Sequence, residues 1–129
     1  MLRVIDTETC DLQGGIVEVA SVDVVNGQIV NPMSHLVRPD RPISPQAMAI
    51  HRITESMVAD KPWIEEVIPF YHGSPWYVAH NASFDRRVLP EMPGEWICTM
   101  KLARRLWPGI KYSNMALYKS RKLSVKTPE

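Results

Sequence analysis

Long apolar runs are missing from this sequence. None of its 129 residues lies in a stretch near the ~18 consecutive apolar residues that a membrane span requires. The N-terminus has no basic-then-apolar leader pattern, so a soluble cytoplasmic protein without a membrane partner is the expectation. Cysteine is scarce as well. Cys10 and Cys98 are the only two, far apart and without a CxxC pair, which fits reduced, partly buried thiols rather than a disulfide framework or a thiolate metal site. Internal repeats, low-complexity tracts and linker-like stretches are absent too, which excludes solenoids and tethered arrays. What remains is ordinary for one globular domain, with 45% hydrophobic and 22% charged residues and enough chain for a core.

The net charge of +1 conceals an uneven distribution. Residues 1–99 hold 7 Lys and Arg against 13 Asp and Glu, a balance of −6, whereas residues 100–129 hold 8 basic residues against Glu129 alone, a balance of +7. An acidic body with a basic C-terminal segment suits a polyanionic partner; a solvated helix face near the chain end would look the same.

Alternation and turn residues predict the elements. "LRVIDTET" reads as a buried strand, and "GGIVEVASVDVV" alternates Val17, Val19 and Ser21 against Glu18, Ala20 and Val22. Asn26-Gly27 marks a hairpin into a third strand, "QIVNPMSHLVRP". Ser44 caps and Pro45 opens a short helix over "SPQAMAIH", and "TESMVAD" reads as another helical turn. Ile64, Val67, Ile68 and Tyr71 recur at helical spacing. "WYVAHN" and "EWICTM" read as the fourth and fifth strands, with helices at "SFDRRVLPEM", "KLARRLWPG" and "SNMALYKSRKL". The order predicts a mixed α/β domain with five strands, an antiparallel meander followed by strands joined through helical crossovers.

The chemistry concentrates in "VIDTET". Strand side chains alternate, so Asp6 and Glu8 face one way and repel each other unless a cation lies between them. Hard divalent ions such as Mg²⁺ and Mn²⁺ take oxygen ligands, with positions left for water and phosphate. Asp85, opening a helix beyond the fourth strand, would join them if the sheet runs in the order 3-2-1-4-5. Asp-x-Glu alone can arise by chance on a surface strand, but a strand end beside a crossover is where α/β sheets build sites.

"DTET" followed by "HNASFD" resembles the first two motifs of the DnaQ-like 3′–5′ exonucleases, the DEDDh branch of the ribonuclease H-like superfamily. "PISPQAMAIHRIT", "ICTMKLARRLWPG" and "SNMALYK" are similar to further family stretches and occur in the family's order along nearly all of the chain. The resemblance implies a ribonuclease H-like sheet and a metal-dependent exonuclease. In it Asp6, Glu8 and Asp85 are catalytic metal ligands for two divalent ions (Mg²⁺ or Mn²⁺), about 3.5–4 Å apart. It also implies substrate contacts by Thr7, Thr9 and Leu12, which follow the first strand, and by His51, Asn81 and Phe84. The implied partner is a DNA 3′ end, preferably single-stranded. RNA is the near alternative because the motifs do not report the sugar.

The family's third motif, His-x4-Asp, supplies a base histidine and a fourth acid, and neither has a counterpart here. No aspartate follows Asp85 and no histidine follows His80. His80 and Asp85 themselves have that spacing, but Asn81, Phe84 and the preceding strand mark the segment as motif two, and His80 is expected beside the site or at the strand end. The expectation is therefore one exonuclease-like domain over 1–129 lacking its C-terminal helix, poorly stable and weakly active or inactive. A catalytically dead nuclease-like domain that binds nucleic acid or protein is the competing reading. A haloacid-dehalogenase phosphatase is excluded, since it needs Asp where Glu8 stands. Arg86 and Arg87 could approach phosphate or form a solvated helix face, and Trp63, Trp76, Trp96 and Trp107 are expected to serve packing.

Overall fold

A computed structural model describes residues 1–111 and Ser113; apart from that serine, the helix predicted over 113–123 lies outside the described residues. Five strands form one sheet in the order β3-β2-β1-β4-β5, as expected. β1 (Leu2–Asp11), β2 (Gly14–Val25) and β3 (Gln28–Leu36) make the antiparallel meander. β4 (Trp76–Ala79) and β5 (Glu95–Cys98) extend it in parallel on the other side of β1. Asn26 at φ 50° and Gly27 at φ 76° close the β2–β3 turn, the left-handed pair that a two-residue hairpin requires.

Several boundaries differ from the sequence reading, each for a local reason. β1 runs on to Asp11 because its pairing with β2 continues to Asp11 opposite Gly14, so Thr7, Thr9 and Cys10 lie within the strand and not after it. β4 ends at Ala79 and β5 at Cys98. Asn81 turns left-handed, at φ 69° and ψ 57°, to start α4 (Ala82–Val88), and Thr99 already belongs to α5 (Thr99–Leu106). Pro69 divides the helix predicted from residue 63 into α3 (Ile64–Val67) and a 3₁₀ turn (Ile68–Tyr71). α4 stops before Leu89, which precedes Pro90 and takes the extended ψ of 149°. Trp63 and Trp76 remain 43% exposed, and of this pair Trp63 lies under the Arg38 guanidinium, 4.7 Å from the ring centre.

The core occupies both faces of the sheet. Ile5, Val19, Tyr71, Tyr77, Leu89 and Met92 belong to a cluster that α3, the 3₁₀ turn and the end of α4 cover. A second cluster joins Cys10 and Val17 to Ile43, Ile53 and Val58, around α1 (Pro45–His51) and α2 (Glu55–Val58). A bulge makes both possible. Glu8 opposes Glu18 but Thr9 opposes Ile16, so Val17 is the extra residue in β2 and the alternation of that strand reverses there. Ile16 thus stays with the first cluster, while Val17 joins Cys10 in the second. On β1, which has no extra residue, Asp6, Glu8 and Cys10 share one face. α1 therefore packs on the face of the acids, just past them.

Candidate active site

β1 pairs with β4 only over Leu2–Val4, so from Ile5 onward its edge on that side is not a strand pair. α4 begins at this edge. Its Asp85, 4% exposed, accepts a hydrogen bond of 2.9 Å from the Thr7 hydroxyl. Thr7 is buried and points away from the face of Asp6 and Glu8, so its side chain supports Asp85.

The charge of Asp6 acts on both of the other carboxyls. Burial pushes Asp85 up to about 6, helped by the nearby Asp6 charge and opposed by the Thr7 hydroxyl and amide. Desolvation by packed neighbours also raises Asp6, although its side chain reaches solvent. Half-buried Glu8 is raised by desolvation first and then by the charge of Asp6, while His51 draws it down. Among the described residues, no lysine or arginine forms an ion pair with any of the three; the four such pairs lie at Asp23, Asp11, Asp40 and Asp60. Nor do three or more His, Cys, Asp or Glu side chains form a preassembled metal-ligand group among the described residues. Like charges repel, so carboxylates need an ion to draw them together. By donor chemistry they fit a hard divalent cation, having only oxygen ligands and no thiolate or paired imidazoles.

Beside Glu8 lies a cleft of about 620 Å³ between the β1–β2 turn and α1, lined by Thr9, Leu12, Gln46, Ile50 and His51 among others. Leu12 and Ile50 are more than 80% exposed, so they present apolar surface on opposite walls. Ser44 caps α1 by accepting the Ala47 amide at 3.1 Å. At the other end, His51 donates from Nε2 to the Thr9 carbonyl at 3.0 Å and accepts the Ile53 amide at Nδ1. This places Thr9, Leu12 and His51 together, whereas Asn81 and Phe84 lie on α4 away from the cleft. The Asn81 side-chain oxygen accepts from Ser83, and Phe84 lies under the Arg87 guanidinium. His80 pairs through Nδ1 with the Thr99 hydroxyl at 2.8 Å.

Gln46 and Ile50 were not singled out from the sequence. Their spacing of four along α1 puts them on one helix face with the cleft, the signal that could have found them. The sequence offers Arg87 as a phosphate contact or as part of a solvated helix face; in the structure it donates to the carbonyls of Leu12 and Gln13 at 2.9 and 3.1 Å and so fixes the turn. Cys10 and Cys98 are free thiols; burial pushes Cys10 up to about 11, which makes it inert.

A central strand carrying two carboxylates on one face, in a mixed sheet of this order with a third acid on the crossover helix, is the arrangement of a ribonuclease H-like nuclease. The exonuclease family model, RNase_T, matches residues 4–125, and the chain belongs to that family, within its DnaQ-like group. Exonucleases of this family generally use divalent metal ions. The chain is 89% identical over 128 residues to exodeoxyribonuclease 10 of Escherichia coli strain K12, covering 99% of this chain and 58% of that protein. It is 32% identical to the DNA polymerase III subunit epsilon of Pasteurella multocida strain Pm70, across 88% of this chain and 54% of that one. It therefore spans less than two thirds of these curated relatives. The solved structure of exonuclease X in complex with 5′ overhanging duplex DNA superposes with a TM-score of 0.96 at 89% identity, covering 99% of this chain and 77% of that one. Cell-death related nuclease 4 shares the fold, with a TM-score of 0.68 at 15% identity.

Proposed function

We propose that residues 1–129 form one exonuclease-like domain that removes nucleotides from DNA 3′ ends by metal-dependent phosphodiester hydrolysis in the cytoplasm. The observation that carries this reading is the set of three carboxyls beyond the point where β1 stops pairing with β4, Asp6 and Glu8 on one face of β1 and Asp85 on α4, two of them at least half-buried and none of them paired with a basic side chain among the described residues. Asp6, Glu8 and Asp85 would hold Mg²⁺ or Mn²⁺, two ions in a complete site. When bound, such ions neutralise the acids and stabilise the negative charge that develops at the phosphorus.

The chain's own residues have separate tasks. Thr7 holds the Asp85 carboxyl in place. The cleft beside Glu8, with Leu12 and Ile50 on its walls, would take the terminal nucleoside of a single-stranded 3′ end. His51 ties α1 to β1 next to Glu8. These 129 residues offer no counterpart of the base histidine and fourth acid that the family resemblance implies, so cleavage by this chain is expected to be slow even where metal and DNA bind.

The test uses single-stranded DNA labelled at the 3′ or the 5′ end, with Mg²⁺ or EDTA. The chain is compared with its Asp6→Ala variant and with a chimera carrying the C-terminal part of the E. coli relative after these residues. Early loss of the 3′ label, faster in the chimera and abolished by EDTA and by Asp6→Ala, is expected. Cleavage that begins at the 5′ end, or that survives Asp6→Ala, would sink the proposal.

A further inference from the structure

We propose that Asp11 and Arg87 are positioning residues for the nuclease reaction: together they fix the turn that carries Leu12, and through it the nucleoside in the cleft beside Glu8. Charged side chains hold four main-chain groups of this turn between β1 and β2. Asp11 Oδ1 accepts the Gln13 and Gly14 amides at 2.8 and 3.0 Å. The Arg87 guanidinium donates to the Leu12 and Gln13 carbonyls at 2.9 and 3.1 Å. Both holders are themselves held. Arg41 Nη1 lies 3.7 Å from Asp11 Oδ1, and the Arg41 stem crosses Gly15, where a Cβ would stand 2.9 Å from it. The Arg87 guanidinium rests over the Phe84 ring, 5.3 Å from its centre.

Stability alone does not call for such a clamp. Leu12 and Gln13 are exposed, so water could serve the same groups, and charge pairs at a surface contribute little. What the clamp supplies is position. Leu12 is 82% exposed and Ile50 81%, apolar side chains kept apart on opposite walls of the cleft. Walls that are already rigid hold a ligand without a further cost of ordering. The same helix also carries the third acid. Asp85 and Arg87 stand two residues apart on α4. Thr7 ties Asp85 to β1, and Arg87 ties α4 to the turn that follows that strand. One helix thus fixes both the acid that would hold metal and the wall that would hold the nucleoside. The offset between the phosphorus under attack and the last base is set by that pair of ties.

This inference rests on the nuclease reading for what enters the cleft, and the test separates the two. A single-stranded oligonucleotide carries 2-aminopurine as its last base and fluorescein at its 5′ end, and is bound in Ca²⁺, a hard ion for oxygen ligands. Fluorescein anisotropy reports binding; 2-aminopurine anisotropy reports how firmly the last base is held. The full chain is compared with Arg87→Ala, Asp11→Ala and Asp11→Asn, the last of which keeps an oxygen for the two amides. At saturating protein, the last base is expected to be immobilised by the full chain and by Asp11→Asn, and released in both alanine variants. The two alanine variants change the net charge in opposite directions, so a shared release is positional and does not come from attraction to phosphate. Single-turnover cleavage in Mg²⁺ should slow with it by about tenfold or more, since a misplacement of about 1 Å costs about 100-fold, while the half-saturating concentration changes little. A last base still held in either alanine variant, or released equally in Asp11→Asn, would overturn this inference and leave the nuclease reading standing. So would a last base that turns freely in the full chain while fluorescein reports binding. No DNA binding by the full chain would overturn both.

Discussion

At Asp85, burial and a single hydroxyl act against each other. Burial favours the neutral acid, while the Thr7 hydroxyl at 2.9 Å favours the carboxylate, and the outcome is a value pushed up to about 6. A carboxyl raised above its ordinary 3.8 stabilises the folded state when protonated. That contribution is complete below 3.8 and is lost as pH rises through about 6. The metal-free chain should therefore gain stability as pH falls from 7.5 towards 4.5, the reverse of the usual carboxylate behaviour. A divalent ion offsets the cost of ionisation at neutral pH, so the rise in Tm on adding Mg²⁺ should be larger at pH 7.5 than at pH 5. Thermal melts in EDTA and in Mg²⁺ at the two pH values test this, and equal increments at both would contradict it.

At the scale of elements, α1 owes its position to its two ends. Ser44 caps one, and at the other His51 bonds with both ring nitrogens, to the Thr9 carbonyl and the Ile53 amide. His51→Ala leaves two main-chain groups without these partners and should cost about 1–3 kcal/mol. Amide exchange should quicken in α1 while β2 and β3 keep their protection; uniform loss of protection would mean that His51 acts on the whole core instead.

Elements also show how far the sequence could be read. The Asn26-Gly27 turn and the Ser44-Pro45 helix start were legible, because each is a local preference; the expected alternation holds for Val19 and Ser21 but not for Val17, which the bulge turns to the other face. The pairing of Asp6 with Glu8 on one face was legible too, since it follows from strand period alone. The bulge at Val17 was not, since a single extra residue leaves no mark in a run of valines, and with it went the reason why both sheet faces are apolar. The contacts of Thr7 with Asp85 and of Arg87 with Leu12 and Gln13 join residues more than 70 positions apart. No spacing rule encodes such contacts. Thr7 therefore read as a nucleotide contact from its place in the motif, while its side chain is buried against the third acid.

For the whole molecule, stability and chemistry sit on opposite sides of the same strand. Arg3 on β1 forms a two-bonded pair with Asp23 on β2, at 2.7 and 3.0 Å, and also donates to the carbonyls of Tyr71 and His72. Asp23 is 1% exposed and accepts from Asn31 as well. Arg3 holds its carboxyl below the ordinary range, so its contribution persists at neutral pH and is lost only in acid. Asp23→Ala leaves the mostly buried Arg3 guanidinium without its counter-charge and should cost about 3 kcal/mol in urea unfolding; a loss below about 1 kcal/mol would show that the pair is not the anchor of the meander.

The central claim is that Asp6 and Asp85 belong to one divalent-metal site, and binding of Mn²⁺ tests it without depending on turnover. Free Mn²⁺ is followed by electron paramagnetic resonance as the unmodified chain, Asp6→Asn and Asp85→Asn are titrated at pH 7.5. The account predicts binding by the unmodified chain and a weakening of more than about tenfold in each variant, since even the partners of metal ligands are worth about 10–100-fold. Equal affinity in all three proteins, or no binding by the unmodified chain, would contradict it.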